Sequence, residues 1–281
     1  MTTLTIGGVP EHFNFPWFSL LEDSAFEEKG IDLQFKTQEG GTGQMIQNLE
    51  EKKIDLAVML TEGSVMTINK GNPFKIVQKY VQSPLLWGVY TATDSDINHI
   101  KDLEGKTAAI SRFGSGSHLM AHVNSQNQGW SPKHLDFKLS QNIAGAIKNI
   151  SDQKADYVMW ERFTTQPYVD QKLLKHIDDC PTPWPCFVIV AHQDVLDQHP
   201  EEVNRILDTI NLKTEALKSE PHLAERIAKK MNLKVEDVHK WLEITRWSQH
   251  QMTKKEIKAI QETLHGLKLI ENLKAETKYI F

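Results

Sequence analysis

Long apolar runs are absent from this 281-residue sequence, in which no stretch approaches the ~20 residues that a helix needs to cross a bilayer. We therefore expect no direct insertion into a membrane. The first residues show neither the basic segment nor the apolar segment of a secretory signal. The expected location is the cytoplasm if Met1 is the native start, and the periplasm or cell surface if a signal has been removed.

Positive charge is also scarce relative to negative charge, because 32 Lys and Arg face 37 Asp and Glu and give a net charge of −5. Proteins that bind nucleic acid normally carry a basic surface patch. Nucleic acid is therefore not an expected partner.

Cysteine is limited to two residues, Cys180 and Cys186, on either side of a proline-rich segment. Two thiols alone do not make a metal site, and none of the 12 histidines lies in an H-E-x-x-H pattern. We expect two free thiols, with a structural disulfide as the alternative, and no metal or cofactor.

One local pattern occurs twice in the chain. A Lys-x-Asp turn precedes a short apolar run at residues 53–59 and again at residues 154–160, and each copy follows an amphipathic helical stretch. Glu62 and Glu161 come just beyond the two apolar runs. The repetition predicts two similar α/β lobes whose polar loops face each other across a ligand cleft, since open α/β sheets bind ligands beyond the carboxyl ends of their strands.

Apolar runs bounded by Gly, Pro or Asp alternate with helical patterns along the chain, which predicts an α/β fold with largely parallel sheets. The predicted strands are 4–9, 31–35, 56–60, 74–80, 85–91, 107–110, 135–139, 157–160 and 187–191. We expect lobe one to comprise residues 1–88 and 191–281 and lobe two to be an insertion of residues 89–190. From Pro200 onward the pattern predicts helices alone, including one that opens with the capping box Thr253-x-x-Glu256.

The segment 111–117 is the first candidate binding loop, and it contains Arg112, Gly114, Ser115, Gly116 and Ser117. It joins a predicted strand to a predicted helix. Backbone N–H groups at a helix N-terminus attract carboxylate, sulfonate or phosphate groups, and an arginine adds a permanent charge. A plain turn with a surface arginine is the alternative.

A second glycine-rich turn contains Gly41, Thr42 and Gly43 and precedes the helix of the first repeat. It is predicted to offer backbone donors from lobe one. A flexible turn with Thr42 as the N-cap is an equally good interpretation.

The loop after the first strand brings His12, Phe13, Asn14 and Trp17 together. Its aromatic side chains are candidates to stack on a planar ligand, while the imidazole and the amide orient that ligand. Packing of most of these aromatic side chains in the core is the competing interpretation.

Further candidates lie where the repeated strands end and before the second lobe crossover. They are Thr61, Glu62, Trp160, Glu161 and Trp184. The two glutamates are predicted to accept from ligand N–H groups or to pair with Arg112 and Arg162.

The whole chain resembles the type II periplasmic solute-binding proteins, especially the branch of sulfonate, taurine and thiamine-pyrimidine binders and the thiamine-pyrimidine synthases. The segments that carry the resemblance are 4–9, 41–43, 54–57, 112–117 and the C-terminal stretch 221–267. Segments 11–14 and 159–162 look closer to a subfamily found in bacteria and fungi. The resemblance implies two Rossmann-like lobes joined by a two-strand hinge, with C-terminal helices, and a ligand held between the lobes.

The function implied is a monomeric, non-catalytic protein that binds a small anionic or planar heterocyclic solute, for an ABC transporter permease or for sensing. The alternative is a cytoplasmic enzyme on the same fold, similar to menaquinone-pathway chorismate dehydratases and naphthoate synthases or to the thiamine-pyrimidine synthases. His12 would then be the first candidate base, with Glu62, Glu161 or Ser117 assisting. The clustered cysteines of the thiamine-pyrimidine synthases are absent from the sequence.

Overall fold

The computed structural model describes residues 1–281, except for the side chain of Pro132. In the described chain, the strands in order are β1 (Thr2–Gly8), β2 (Ile31–Thr37), β3 (Leu56–Leu60), β4 (Phe74–Val81), β5 (Leu86–Thr91), β6 (Thr107–Ile110), β7 (Asp136–Leu139), β8 (Tyr157–Glu161), β9 (Lys175–Pro181) and β10 (Phe187–His192). The helices are α1 (Phe15–Glu22), α2 (Gly41–Glu50), α3 (Thr61–Lys70), α4 (Gly116–Asn127), α5 (Ile143–Ser151), α6 (Gln166–Asp170), α7 (Gln193–Gln198), α8 (Pro200–Ala216), α9 (Leu223–Met231), α10 (Val235–Ile244) and α11 (Lys254–Gly266).

The chain divides into two compact units. Unit 1 comprises Met1–Ser83 and Trp184–Phe281, and unit 2 comprises Pro84–Pro183. The boundaries expected from the sequence, 88/89 and 190/191, fall inside β5 and β10. Each strand pairs along its length with strands of one unit only, so the crossings lie before β5 and before β10.

Unit 1 contains a five-stranded sheet in the order β2-β1-β3-β10-β4. Strands β2, β1 and β3 are parallel, and β10 runs antiparallel to both β3 and β4. The carboxyl ends of β1, β2, β3 and β4 therefore lie along one edge of this sheet. Its central strands are almost wholly buried, as their continuous apolar runs predict.

Unit 2 repeats this arrangement with a sheet in the order β7-β6-β8-β5-β9. Strands β7, β6 and β8 are parallel, whereas β5 is antiparallel to β8 and β9. The predicted α/β fold is confirmed, but both sheets are mixed rather than largely parallel. Strand β9 was not predicted because its sequence, KHIDDCP, is polar and mostly partly exposed, as suits a sheet edge.

The repeated Lys-x-Asp turn has the same structural role in both units. Asp55 Oδ2 accepts hydrogen bonds from the backbone N and the Oγ1 of Thr5, at 2.7 and 2.8 Å. Asp156 Oδ2 accepts from the backbone N of Thr107 at 2.7 Å. Each aspartate thus fastens the start of a buried strand to the neighbouring parallel strand.

The prediction that the chain is wholly helical after Pro200 is wrong for the segment between α10 and α11. This segment is extended and pairs with the end of β4, where Ser248 N donates to Tyr80 O and Gln82 N donates to Arg246 O, both at 2.9 Å. The pairing protects the β4 edge of the sheet. No helix in the described part of the chain is long and apolar enough to cross a membrane.

Candidate functional site

The loop after β1 in unit 1 begins with a close contact that requires glycine. A Cβ on Gly8 would lie 2.5 Å from the ring of Phe35 and 2.9 Å from Asn14 Nδ2. The Asn14 amide is fixed because its Nδ2 donates to Val9 O at 2.8 Å. Its Oδ1 is buried and accepts no hydrogen bond from the described residues. The loop therefore presents a fixed acceptor at the carboxyl end of β1.

His12 and Phe13 in this loop pack against the C-terminal part of unit 1. The ring centroid of His12 lies 4.1 Å from that of Trp241, and the ring centroid of Phe13 lies 5.2 Å from the same indole. The Phe13 carbonyl accepts from Tyr80 Oη at 2.9 Å and from Trp247 Nε1 at 3.3 Å. These contacts hold the loop in one conformation.

Burial lowers the pKa of His12 to about 3, because the charged imidazolium loses its hydration. The imidazole is therefore neutral at pH 7 and is a weak base there. A general base works best when its pKa lies near the working pH. With its pKa lowered in this way, His12 lacks the basicity expected of the general base in the enzyme alternative.

Trp17 lies inside the core of unit 1. Its indole is fully buried and stacks on Phe26 at 6.0 Å, with Tyr80 at the same distance. The sequence suggests a ligand contact for Trp17, whereas the contacts found are with protein. A helical pattern of aromatic residues does not distinguish these two environments.

Thr61 and Glu62 follow β3, where they form the first turn of α3 rather than the polar loop expected from the sequence. Trp184 Nε1 donates to Glu62 Oε2 at 2.8 Å. Glu62 Oε1 and Thr61 Oγ1 are buried and have no hydrogen-bond partner among the described residues. Burial raises the pKa of Glu62 to about 7. A buried carboxyl with one oxygen unpaired is typical of a binding site rather than of a structural ion pair.

The glycine-rich segment forms the first turn of α2 instead of preceding the helix, and the N-cap is Gly40 rather than Thr42. Gly41 has a φ of +63°, and Thr42 Oγ1 accepts from the backbone N of Leu60 at 3.4 Å. Thr42 also packs tightly on the start of α3, since a Cβ on Gly63 would lie 2.5 Å from Thr42 Cγ2. The N-termini of α2 and α3 are therefore neighbours, and Gly43 lies in the first turn of α2.

In unit 2, the loop between β6 and α4 is organised by serine hydroxyls. Ser115 is the N-cap of α4, and its Oγ accepts from His118 N. Ser117 Oγ accepts from Ser111 N at 2.9 Å and lies 3.1 Å from Ser115 Oγ. Gly114 has a φ of +76°, which favours glycine. Gly116 is the first residue of α4. A helix N-terminus of this kind is able to bind an anion.

Arg112 lies in the same loop and is half-buried, and its backbone carbonyl accepts from Ser115 N at 3.2 Å. Its guanidinium forms no ion pair or hydrogen bond with the described residues. Burial lowers the pKa of its guanidinium, which nevertheless stays charged at pH 7. A partly dehydrated, unpaired guanidinium next to a helix N-terminus is a candidate anion contact.

Three aromatic side chains beside this loop were not predicted as site residues. His118 Nδ1 accepts from Gly114 N at 3.2 Å, and its Nε2 lies 3.3 Å from His122 Nε2. Phe113 is exposed and packs its edge on His118 at 5.3 Å. Burial lowers the pKa of His118 to about 4, with a further contribution from His122. The spacing of four residues between the two histidines places them on one face of α4, and this pattern could have predicted the pair from the sequence.

Glu161 and Trp160 end β8 in unit 2. Glu161 Oε2 accepts from Phe163 N at 2.9 Å and from Thr164 N at 2.6 Å, so it closes the following turn. Trp160 packs against the core formed around Tyr90 and Val158. Arg162, the arginine that follows Glu161, has its Nε 3.4 Å from Asp179 Oδ1.

The sequence of residues 24–224 matches the family model described as NMT1/THI5 like. The chain belongs to the NMT1/THI5-like family. Among curated proteins, none matches it significantly.

Solved structures similar to this NMT1/THI5-like protein share the periplasmic binding protein fold. The Candida albicans CA3427 gene product, described as defining a new family with that generic fold, is 24% identical over 100% of this chain and 96% of its own, with a TM-score of 0.90. The alkanesulfonate-binding protein SsuA from Xanthomonas axonopodis pv. citri, bound to MOPS, is 14% identical over 100% and 98% of the two chains, with a TM-score of 0.80. PhnD1 from Prochlorococcus marinus, in complex with methylphosphonate, is 15% identical over 96% and 99%, with a TM-score of 0.66.

In this NMT1/THI5-like protein, the candidate residues fall into one set in each unit. Asn14, Thr61 and Glu62 lie at the carboxyl ends of β1 and β3 in unit 1. Arg112 and the serine loop lie at the carboxyl end of β6 in unit 2. Among the described residues, no group of three or more His, Cys, Asp or Glu side chains is arranged to hold a metal ion.

Proposed function

We propose that this protein is a solute-binding protein that binds a small molecule with an anionic group. The observation that carries the proposal is the set of polar groups without protein partners at the strand carboxyl ends. Unit 1 supplies buried oxygens of Asn14, Thr61 and Glu62, and unit 2 supplies Arg112 beside the N-terminus of α4. Ligands of open α/β sheets bind at such edges.

The anionic class is supported by the chemistry of the unit 2 loop. Backbone N–H groups at a helix N-terminus and an arginine side chain both favour sulfonate, phosphonate, phosphate or carboxylate. SsuA and PhnD1, which share the fold, bind a sulfonate buffer and methylphosphonate. We infer that the protein binds such a solute as a monomer, for delivery to an ABC-type permease or for sensing.

Titration calorimetry with a panel of sulfonates, phosphonates and phosphorylated metabolites tests this function. Arg112→Ala should weaken binding of an anionic solute about tenfold to a hundredfold, because a hydrogen bond to a charged group contributes about 1.5–3 kcal/mol. Arg205→Ala is the control, since Arg205 is exposed on α8 and pairs with Glu202. Equal affinities for the Arg112→Ala and wild-type proteins would refute the anion assignment.

Light scattering on a sizing column tests the oligomeric state and should give the mass of one chain. A mass of two or more chains would contradict a monomer.

A further inference from the structure

A cavity of about 180 Å³ lies within unit 1, at the end of the sheet where β1 and β3 begin and thus opposite to the candidate site. Strand β10 is antiparallel to β3, so its carboxyl end lies at the same end of the sheet. Leu4, Ile54 and Val195 give the cavity apolar walls, and Asp55 and His192 are among its polar residues. All of these residues belong to unit 1.

His192 has one ring nitrogen bonded to protein and one without a protein partner. Its Nδ1 accepts from the backbone N of Asp194 at 3.1 Å and thereby caps the N-terminus of α7. An imidazole that accepts at Nδ1 is neutral and carries its proton on Nε2, which is then a donor. The side chain is only 8% exposed, and none of the described residues accepts from Nε2. A buried donor without an acceptor is destabilising unless something else accepts from it.

Asp55 supplies an acceptor next to this donor. The backbone N of His192 donates to Asp55 O at 3.2 Å, so the two residues are neighbours. Asp55 Oδ2 accepts from Thr5, whereas Oδ1 receives no hydrogen bond from the part of the chain that the structure describes. The cavity therefore combines a donor and an acceptor with apolar walls.

Comparison of the two units shows that the repeated fold does not require this histidine. Strand β10 corresponds to β5, since each runs antiparallel to the strand that follows the repeated turn. Ala191 pairs with the first residue of β3 and is followed by His192, whereas Thr91 pairs with the first residue of β8 and is followed by Ala92. The cap of α7 does not require an imidazole either, because Ser, Thr, Asp and Asn are the usual N-cap residues. Neither role accounts for the Nε2 donor.

The charges around the cavity favour a neutral occupant. Lys52 and Asp194 also line the cavity, and they form an ion pair with each other. The remaining carboxylate, that of Asp55, disfavours an anion, while the donor of His192 disfavours a cation. A hydroxyl group suits both residues, because it accepts and donates hydrogen bonds at one oxygen. Pockets for drug-sized ligands occupy about 300–1,000 Å³, so the occupant of this cavity is smaller.

We propose that this cavity is a second binding site, for a small neutral compound with several hydroxyl groups, such as a pentose or a short polyol. One hydroxyl accepts from His192 Nε2 and donates to Asp55, and the C–H groups of the compound pack on Leu4 and Ile54. The site lies wholly in unit 1 and goes beyond the proposed function, because it does not involve the anionic solute or Arg112.

The test compares D-xylose with tetrahydropyran, which has the same ring but no hydroxyl groups. Proton–nitrogen correlation spectra of the histidine side chains are recorded on nitrogen-15-labelled protein, and the signals of His192 are assigned by their loss in His192→Asn. In the free protein, His192 should show the tautomer with its proton on Nε2. Xylose should shift the Nε2 signal of His192 in a saturable way, and tetrahydropyran at the same concentration should not.

His192→Asn separates recognition from folding, because asparagine retains an N-cap for α7 and lacks the Nε2 donor. Xylose binding is followed on the backbone amide signals of Ile54 and Val195, which the variant retains. The affinity should fall about fivefold, since one hydrogen bond between neutral groups is lost. His222→Asn, at a histidine that is exposed before α9, is the control and should bind xylose as the wild type does.

The outcomes separate this site from the proposed function. Xylose binding that is weakened by His192→Asn and unchanged by Arg112→Ala supports the second site. The proposal is overturned if xylose leaves the His192 signals unchanged, if tetrahydropyran binds equally well, or if His192 carries its proton on Nδ1. These comparisons use the wild-type protein and decide even where a variant does not fold. A shift of His192 by acetate but not by xylose shows an anion site and also overturns the proposal, and none of these results bears on sulfonate binding at Arg112.

Discussion

Replacement of Glu62 by Gln should remove a loss of stability that the wild-type protein undergoes as the pH rises from 5 to 8. Burial raises the pKa of Glu62 from 4.5 to about 7, so the folded state binds a proton more tightly than the unfolded state does. Stability from this group is present at pH 4.5 and is lost as the pH rises toward and through 7. Above pH 8 the folded wild-type protein must keep a buried carboxylate ionised, and Gln does not carry that cost.

The size of the effect follows from the shift. One pKa unit corresponds to 1.36 kcal/mol, so the full effect is about 3 kcal/mol, of which about 2.5 kcal/mol develops between pH 5 and pH 8. The lowered pKa of His12 acts in the opposite direction, because stability falls as the pH drops below 6.5 toward about 3. That contribution is common to both proteins and cancels in the comparison.

Urea unfolding at pH 5, 6, 7 and 8 measures the effect, with the free energy of unfolding extrapolated to water for each protein. The difference between Glu62→Gln and wild type should move by about 2.5 kcal/mol in favour of the variant from pH 5 to pH 8. Glu27→Gln, at an exposed site, should run parallel to wild type. Parallel curves for Glu62→Gln would refute the reasoning that burial controls this carboxyl.

Three other substitutions test local packing and hydrogen bonding. Gly145→Ala should destabilise unit 2 by about 2 kcal/mol or more, because the new Cβ would lie 1.9 Å from Ser140 O; an unchanged melting temperature would contradict this. Asp156→Ala should cost about 1–3 kcal/mol in urea unfolding, since the backbone N of Thr107 loses its acceptor, and a cost below about 0.5 kcal/mol would count against the role of the repeated turn. Trp241→Ala should cost about 3–5 kcal/mol, because a fully buried indole is removed, and near-native stability would disprove its place in the core.

Matched controls accompany two of these variants. Gly266→Ala adds a methyl group at the exposed end of α11, where nothing lies within 4 Å, and should leave the melting temperature unchanged or slightly raised. Asp136→Ala, an exposed carboxylate at the start of β7, should cost little compared with Asp156→Ala.

The repeated α/β units could be predicted from sequence because their signals are local. A Lys-x-Asp turn followed by an apolar run predicts a buried strand, and β3 and β8 lie where these patterns place them. The same holds for the start of α2 at Gly41 and of α4 at Gly116, where glycine and serine mark the turns.

Features that depend on distant contacts could not be predicted. Trp184 donates a hydrogen bond to Glu62, which is 122 positions away in the sequence, and nothing near either residue predicts this pair. The extended segment after α10 carries a helix-like apolar pattern, but its backbone hydrogen bonds go to β4. Strand β9 has little apolar sequence because an edge strand gains more from hydrogen bonding than from burial.

The sequence predicts which residue types belong to the candidate site, but not their burial or protonation. The sequence predicts His12, Trp17 and Glu62 as ligand-binding residues. In the folded protein His12 is a neutral imidazole, Trp17 is an indole in the core, and Glu62 is a buried carboxyl with one unpaired oxygen. Degree of burial depends on the packed fold, so sequence patterns alone do not supply it.

Native mass spectrometry of the protein purified from its own host tests the central claim most directly. The account predicts a complex of one chain with one small molecule that is released unchanged on denaturation and that raises the melting temperature when added back. Recovery of an added compound in chemically altered form would contradict a purely binding role, and protein that carries no small molecule and responds to none of the solute panel would contradict solute binding.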